Sequence, residues 1–303
     1  MTQPAITVEG LTKDFGSVRA VDDLSFTVRA GAVTGFLGPN GSGKTTTLRM
    51  VLGLVRATAG RTLVGERPYT DHPQPGRVVG SALEAASFHP GRTGLDHLRV
   101  YAPQVGVDDA RCREVIELVG LAAAGGRRVS GYSMGMRQRL GLATALLTDP
   151  PTIVLDEPAN GIDPEGIVWL RGFLRHLAAE GRSVLVSSHV LGEVQHTVDD
   201  VVVIRRGRLV HASSLAELAD LAEHTTYVEG PDRAGLGRLA EQRGWQCEAD
   251  GTGWTLRAVP AAEIGAAAFA AGLELHALTQ RGGDLEEVFL RLTAPGPDEL
   301  VAP

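Results

Sequence analysis

Residues Gly38-Pro39-Asn40-Gly41-Ser42-Gly43-Lys44-Thr45 limit the possible folds more than any other segment of the chain. They fit the spacing G-x-x-x-x-G-K-[ST], with a short apolar run (residues 32–37) before them and a helix-compatible pattern from 44 to about 55 after them. A strand that breaks into glycines and re-enters as a helix can curl its backbone N–H groups around one point. The positive end of the helix lies beneath that point, so the turn suits an anion, and a phosphate above all. Lys44 can reach β- and γ-phosphates as a point charge, and the Thr45 hydroxyl can serve Mg²⁺. The competing reading is a chance turn in a chain with 38 glycines. Against it stand the flanking elements and the lysine itself, because Lys13 and Lys44 are the only lysines among 29 basic residues.

A second stretch, Thr152-Ile153-Val154-Leu155-Asp156-Glu157, is an apolar strand ending in two acids. An acid at a buried strand tip is costly unless it meets a cation or hydrogen-bond donors. Beside a phosphate loop the natural cation is Mg²⁺, held by Asp156, and Glu157 can then act as general base on water. Alone, the pair reads equally well as solvated acids at a strand-to-loop junction.

The remaining pattern alternates strands and helices. Strands are expected at 6–15, 25–29, 151–155 and 183–187, with a hairpin of 201–204 and 208–211 around Arg206-Gly207. Helices are expected at 94–102, 109–119 and 137–147, from an Asp163 cap to about 180, and from about 190. The stretch from Val78 to Glu84 reads as a loop. From about 213 onward the chain is richer in Ala and Gly. It carries a second expected hairpin around Asp250-Gly251 and reads as a small α+β domain over 216–293, with 294–303 a disordered tail.

With 303 residues the chain can hold more than one domain. A net charge of −7 argues against nucleic acid as partner. No apolar run approaches the roughly 20 residues that span a bilayer. The start Met1-Thr2-Gln3-Pro4 lacks the features of a signal peptide. Two distant cysteines, Cys112 and Cys247, fit a reducing compartment.

One further segment, Tyr132-Ser133-Met134-Gly135-Met136-Arg137-Gln138-Arg139, lies about twenty residues before the acidic strand. Alone it is an ordinary loop entering a helix. Together with the two motifs above it resembles the signature of the ABC ATPase family, and the resemblance covers about residues 5–215. With Met134 and Met136 in place of the commoner residues, it is similar to the variant found in drug-export and antibiotic-resistance (ABC-2 type) members.

That resemblance implies an α/β fold: a P-loop NTPase (RecA-like) core with an antiparallel β subdomain and a helical subdomain at about 85–150. The small C-terminal α+β domain follows it. The resemblance also implies nucleotide contacts from Phe15, from Gly38, Pro39, Asn40, Gly41, Ser42, Gly43, Lys44, Thr45 and Thr46, and from Ser133, Gly135 and Asp163. Catalytic roles fall to Lys44, Glu157 and His189, and metal contacts to Thr45, Asp156 and Glu84, the last in a slot usually held by glutamine. A lone histidine or phenylalanine is more often a plain surface or core residue, so His189 and Phe15 take their weight from register with the family. ATP and Mg²⁺ are the implied ligands.

The implied assembly is a head-to-tail homodimer across two ATP, docked through about residues 88–98 to an integral membrane permease at the cytoplasmic face. Export is the expected direction. An importer subunit is the alternative, and a soluble non-transport ABC ATPase a more distant one.

Overall fold

The computed structural model describes residues 5–83, 88–222, 225–281 and 285–294. They belong to two compact units, Met1–Leu215 with Leu292–Pro303, and Ala216–Arg291.

The first unit runs β1 (Ile6–Phe15), β2 (Val18–Val28), β3 (Val33–Leu37), α1 (Lys44–Val51), β4 (Ala59–Val64), β5 (Val79–Ala82), α2 (Gly94–Val105), α3 (Asp109–Leu118), α4 (Met134–Ala145), β6 (Thr152–Leu155), α5 (Pro164–Ala179), β7 (Ser183–Ser188), α6 (Leu191–Val194), β8 (Asp200–Arg205) and β9 (Arg208–Ser214). Its main sheet has the order β5-β6-β7-β3-β8-β9. All neighbours are parallel except β9, which returns antiparallel on β8. The β8–β9 turn needs positive φ at both central residues, and Arg206 (49°) and Gly207 (79°) supply it. β3 and β6 are buried along their whole length, as expected of strands covered on both faces. The carboxyl ends of β3, β6 and β7 therefore open side by side. In open α/β sheets this is where ligands bind.

A second, antiparallel sheet of order β2-β1-β4 covers this core. Its inward residues Ile6, Val8, Leu11, Leu24, Phe26 and Val28 share one apolar cluster with Phe36, Leu48, Val154 and Leu185. The Phe26 and Phe36 rings stack at 5.1 Å. Between β5 and β6, α2, α3 and α4 form a helical group. Each starts with a capping side chain, Thr93, Asp108 or Ser133, that accepts the N–H three residues on. Inside it His97 is 3% exposed, edge-on to Phe88 at 4.9 Å and Tyr101 at 5.1 Å. Burial first, and the charge of Arg92 second, lower its pKa from 6.5 to about 4.

The structure departs from the sequence expectation in four places. Residues 79–82 form a strand, not a loop, pairing parallel with β6. The small side chains of Gly80 and Ser81 hide this strand from a hydrophobicity reading, yet only glycine fits at 80: a Cβ there would lie 1.8 Å from the Ala145 carbonyl oxygen. α4 begins at Met134 rather than 137, because Ser133 is its cap. β2 extends from Val18 rather than 25, and β4, largely exposed and without apolar alternation, escaped the sequence reading.

The second unit contains β10 (Thr225–Glu229), α8 (Arg233–Arg243), β11 (Cys247–Asp250), β12 (Gly253–Arg257), α9 (Ala261–Ala270) and β13 (Ala277–Arg281), with α7 (Leu215–Asp220) before it and α10 (Leu285–Thr293) after it. The strands form an antiparallel sheet of order β11-β12-β10-β13. This is the βαββαβ, ferredoxin-like arrangement. Val228, Leu236, Leu239, Leu256 and Ile264 form its core. Among the described residues no helix is long and apolar enough to cross a membrane.

Candidate active site

The glycine-rich turn leaves β3 at Leu37 and enters α1 at Lys44. Two of its glycines are sterically required. A Cβ at Gly38 would lie 2.3 Å from the Ile204 carbonyl oxygen. Gly43 has φ of 103°, and a Cβ there would lie 2.6 Å from the Ala20 carbonyl oxygen. The loop thus packs against β2 and the end of β8 while its amides open into a cavity of about 270 Å³. Ala20, Asn40 to Thr46, Glu157 and Asn160 line this cavity.

Lys44 is 6% exposed and heavily used. Its Nζ donates to the carbonyl oxygens of Gly38 (2.6 Å) and Pro39 (3.3 Å) and stands 3.2 Å from Glu157 Oε1. The other oxygen of Glu157, Oε2, lies 2.7 Å from His189 Nδ1. Glu157 therefore sits between a lysine ammonium and an imidazole. Its backbone has φ of 49°, a left-handed conformation unusual for glutamate. The side chain is thereby turned back across the end of the sheet.

Asp156 lies one residue earlier, at the tip of β6, with its N–H bound to the Ala82 carbonyl. Its carboxylate is bracketed by two hydroxyls: Thr45 Oγ1 donates to Oδ2 at 2.7 Å and Ser187 Oγ to Oδ1 at 2.5 Å. Ser187 also accepts the Glu157 N–H at 2.9 Å. The next residue, Ser188, accepts the Val190 N–H and donates to Glu193, which fixes the bend carrying His189.

Magnesium fits this donor set. Mg²⁺ favours hard oxygens and takes one or two protein ligands, with substrate phosphates and water supplying the rest. Thr45 and Asp156 offer two adjacent oxygens of that kind. The phosphate cradle is equally suited to an anion: Ser42 Oγ is buried at its floor with no hydrogen-bond partner.

The structure thus brings Pro39 to Thr46, Asp156, Glu157 and His189 into one cluster. Phe15 stands at the end of β1, half exposed, with Lys13 Nζ 4.8 Å from its ring centroid. It does not line the cavity. Ser133 and Gly135 lie outside it too, at the exposed start of α4, and Asp163 caps α5 through the Gly166 N–H at 2.9 Å. Glu84 lies outside the described residues. Sequence reasoning missed Ser187. Its only signal was a hydroxyl at the carboxyl end of an apolar strand neighbouring the Asp-Glu strand.

Comparison with known proteins places this geometry in context. The ABC transporter family matches residues 21–160, and a domain of unknown function (DUF8746) matches 224–286. The uncharacterized ABC transporter ATP-binding protein YdbJ of Bacillus subtilis (strain 168) is 34% identical over 306 residues, spanning 99% of this chain and 98% of its own. The chain belongs to the ABC transporter ATP-binding family.

Other members of this ABC family extend the match. The bacitracin transport ATP-binding protein BcrA of Bacillus licheniformis is 40% identical over 68% of each chain. The Nod factor export ATP-binding protein I of Ralstonia nicotianae (strain ATCC BAA-1114 / GMI1000) is 34% identical over 96% of this chain and 94% of its own. Among solved structures, an ATP binding subunit of an ABC transporter superposes with a TM-score of 0.64 at 25% identity, over 72% of this chain and 92% of that one.

Proposed function

We propose that this chain hydrolyses ATP at the cavity at the head of α1, and so powers export through a separate membrane permease. The observation that carries the reading is one bonded cluster: Lys44, Thr45 and Glu157 line the cavity, Asp156 is held by Thr45 and His189 contacts Glu157. We take residues 5–215 as the ATPase domain and 216–293 as a small C-terminal domain whose role is separate.

The turn from Gly38 to Thr46 wraps the β- and γ-phosphates with backbone N–H groups, and the Ser42 hydroxyl gains a partner. Lys44 adds its charge to the oxygens that become more negative as the terminal phosphoryl leaves. Thr45 and Asp156 would hold Mg²⁺, which when bound neutralises charge on the β- and γ-oxygens. Glu157 orients a water and accepts its proton as the water oxygen bonds to the γ-phosphorus and the ADP oxygen departs. His189 holds Glu157 in register through the 2.7 Å contact and faces the phosphoryl group. Phe15 offers an aromatic face to the adenine.

The loop surrounds one side of the phosphates only. Ser133 and Asp163 are exposed, Gly135 is half-buried, and all three lie away from their own chain's cavity. They suit a second copy arranged head to tail, each subunit closing the other's nucleotide. ATP then joins two chains and hydrolysis releases them. The subunit would work at the cytoplasmic face of the membrane, held there by its permease. Kinship with transport proteins for bacitracin and Nod factor supports export and a drug-like or secreted cargo.

Calorimetry of the purified chain with Mg-ATP, paired with Lys44→Ala, tests the reading. The intact chain should bind and turn over ATP, and Lys44→Ala should lose turnover by about 100-fold or more. Equal turnover by both proteins would remove the assignment.

A further inference from the structure

His189 sits on a short bend between two elements. β7 ends at Ser188, and α6 (Leu191–Val194) is a single turn. One turn does not hold itself in water, and it leaves most of its carbonyls without an intrahelical N–H. Side chains must therefore fasten this bend.

The first fastening is Glu193, inside α6. Its Oε2 accepts the Ser188 hydroxyl at 2.8 Å, and that hydroxyl in turn accepts the Val190 N–H at 3.0 Å. The loop of bonds closes around residue 189. The Ser188 carbonyl meanwhile accepts the Gly38 N–H at 3.3 Å, which ties the same bend to the start of the glycine-rich turn. The second fastening is Arg171, half-buried midway along α5. Its Nε donates to the Glu193 carbonyl at 3.1 Å and its Nη2 to the Gly192 carbonyl at 2.9 Å. Both nitrogens belong to one edge of the guanidinium, so a rigid fork meets two successive carbonyls of α6.

We propose that Arg171 and Glu193 are positioning residues for His189, holding its imidazole against Glu157. A hydrogen bond is lost beyond about 3.5 Å, so the 2.7 Å contact between His189 Nδ1 and Glu157 Oε2 tolerates little drift of the bend. Neither Arg171 nor Glu193 lines the nucleotide cavity. Both act through the histidine: Glu193 sets where the bend begins, and Arg171 sets where α6 lies against α5. The functional consequence rests on the ATPase reading above. Arg175, one turn further along α5, supplies the internal control. It donates to the Thr197 carbonyl at 3.3 Å and to Asp199 at 2.9 Å, beyond the far end of α6.

The test uses the full chain with Arg171→Ala, Arg171→Lys, Glu193→Ala, Glu193→Gln and Arg175→Ala. Mg-ATP affinity is read by calorimetry, turnover against ATP concentration, and the thermal midpoint alongside. Arg171→Ala and Glu193→Ala should keep the affinity within about twofold and lower kcat by about tenfold. Glu193→Gln, whose amide oxygen still accepts from Ser188, should recover most of the loss. Arg175→Ala should lower the thermal midpoint and leave kcat within about twofold of the parent. Should Arg171→Ala fail to fold, Arg171→Lys, which reaches one carbonyl in place of two, should show the same split to a smaller degree. Parent-like kcat in the Arg171 and Glu193→Ala variants overturns the proposal. So does a Gln variant as impaired as the Ala variant, or an Arg175→Ala chain that loses as much kcat as Arg171→Ala. The bracket is also read without nucleotide, by NMR of ¹⁵N-histidine protein, with the His189 signal identified by its loss in His189→Gln. Arg171→Ala should move the Nδ1 signal toward that of a free imidazole. An unmoved signal overturns the proposal, whereas a moved signal in a chain that ignores Mg-ATP sinks the ATPase reading alone.

Discussion

The Ser187 hydroxyl donates to Asp156 Oδ1 across 2.5 Å, and the same oxygen accepts the N–H of Glu157. One fully buried side chain thus aims the carboxylate proposed to bind the metal and fixes the backbone of the proposed general base. Ser187→Ala should lower turnover by about 10- to 100-fold and raise the Mg²⁺ concentration needed for half-maximal rate. It should also cost about 1 kcal/mol of stability, because two half-buried polar groups lose their partner. Ser187→Cys, similar in size but a weaker donor, should fall between. Turnover measured across a Mg²⁺ series, with chemical denaturation alongside, checks both effects.

Glu157 is held between Lys44 and His189 at 3.2 and 2.7 Å. Glu157→Gln keeps the shape and removes the proton acceptor. Hydrolysis should fall by about 100-fold or more, while ATP binding persists and the paired form accumulates. Light scattering with and without ATP reads the pairing. A variant that still turns over ATP at the parent rate would show that another group takes the proton.

The buried His97 predicts a pH-dependent stability. Its imidazole resists protonation in the folded chain, to about pH 4, but takes a proton near its ordinary 6.5 when unfolded. The unfolded state therefore binds more protons between these values. Stability is complete above about 6.5, declines as pH falls through that window and levels off below about 4. The loss attributable to His97 is at most about 3 kcal/mol. His97→Phe should flatten that part of the profile, read as the difference between parent and variant denaturation at pH 7.5 and 4.5.

Gly80→Ala tests the strand that sequence reading missed. The added methyl would meet the Ala145 carbonyl oxygen and its carbon at 1.8 and 2.7 Å. Either β5 or the end of α4 must shift, at a cost of about 1–3 kcal/mol or more. A lower thermal midpoint should follow. Because β5 leads toward the Asp156 strand, turnover should fall with it.

The glycine-rich turn between β3 and α1 was legible because its physics is local. Glycines at fixed spacing between an apolar run and a helix, and a lysine where lysines are rare, need no tertiary context. The acidic strand tip was legible for the same reason. What escaped depends on neighbours. β5 is a strand because β6 offers it a parallel edge, and nothing in Val79-Gly80-Ser81-Ala82 announces that. β4 alternates poorly because most of it is exposed. Ser187 is one serine among several, and its importance appears only when β7 is laid beside β6. The start of α4 was displaced because Ser133 was read for its likeness to a signature rather than as a helix cap. In the structure it is the cap, and its hydroxyl accepts the Met136 N–H at 3.2 Å.

The crowding around the Lys44 ammonium sets a limit on drift in the chain's composition. Arginine has taken nearly every basic position, yet at residue 44 two carbonyl oxygens and a carboxylate converge on one small volume. A compact ammonium can address all three from one atom, whereas a flat guanidinium would collide with the turn that feeds it. A protein that keeps only one other lysine, Lys13, is bound to retain this one, and Lys44→Arg, the mildest exchange on paper, should be as damaging as removing the charge.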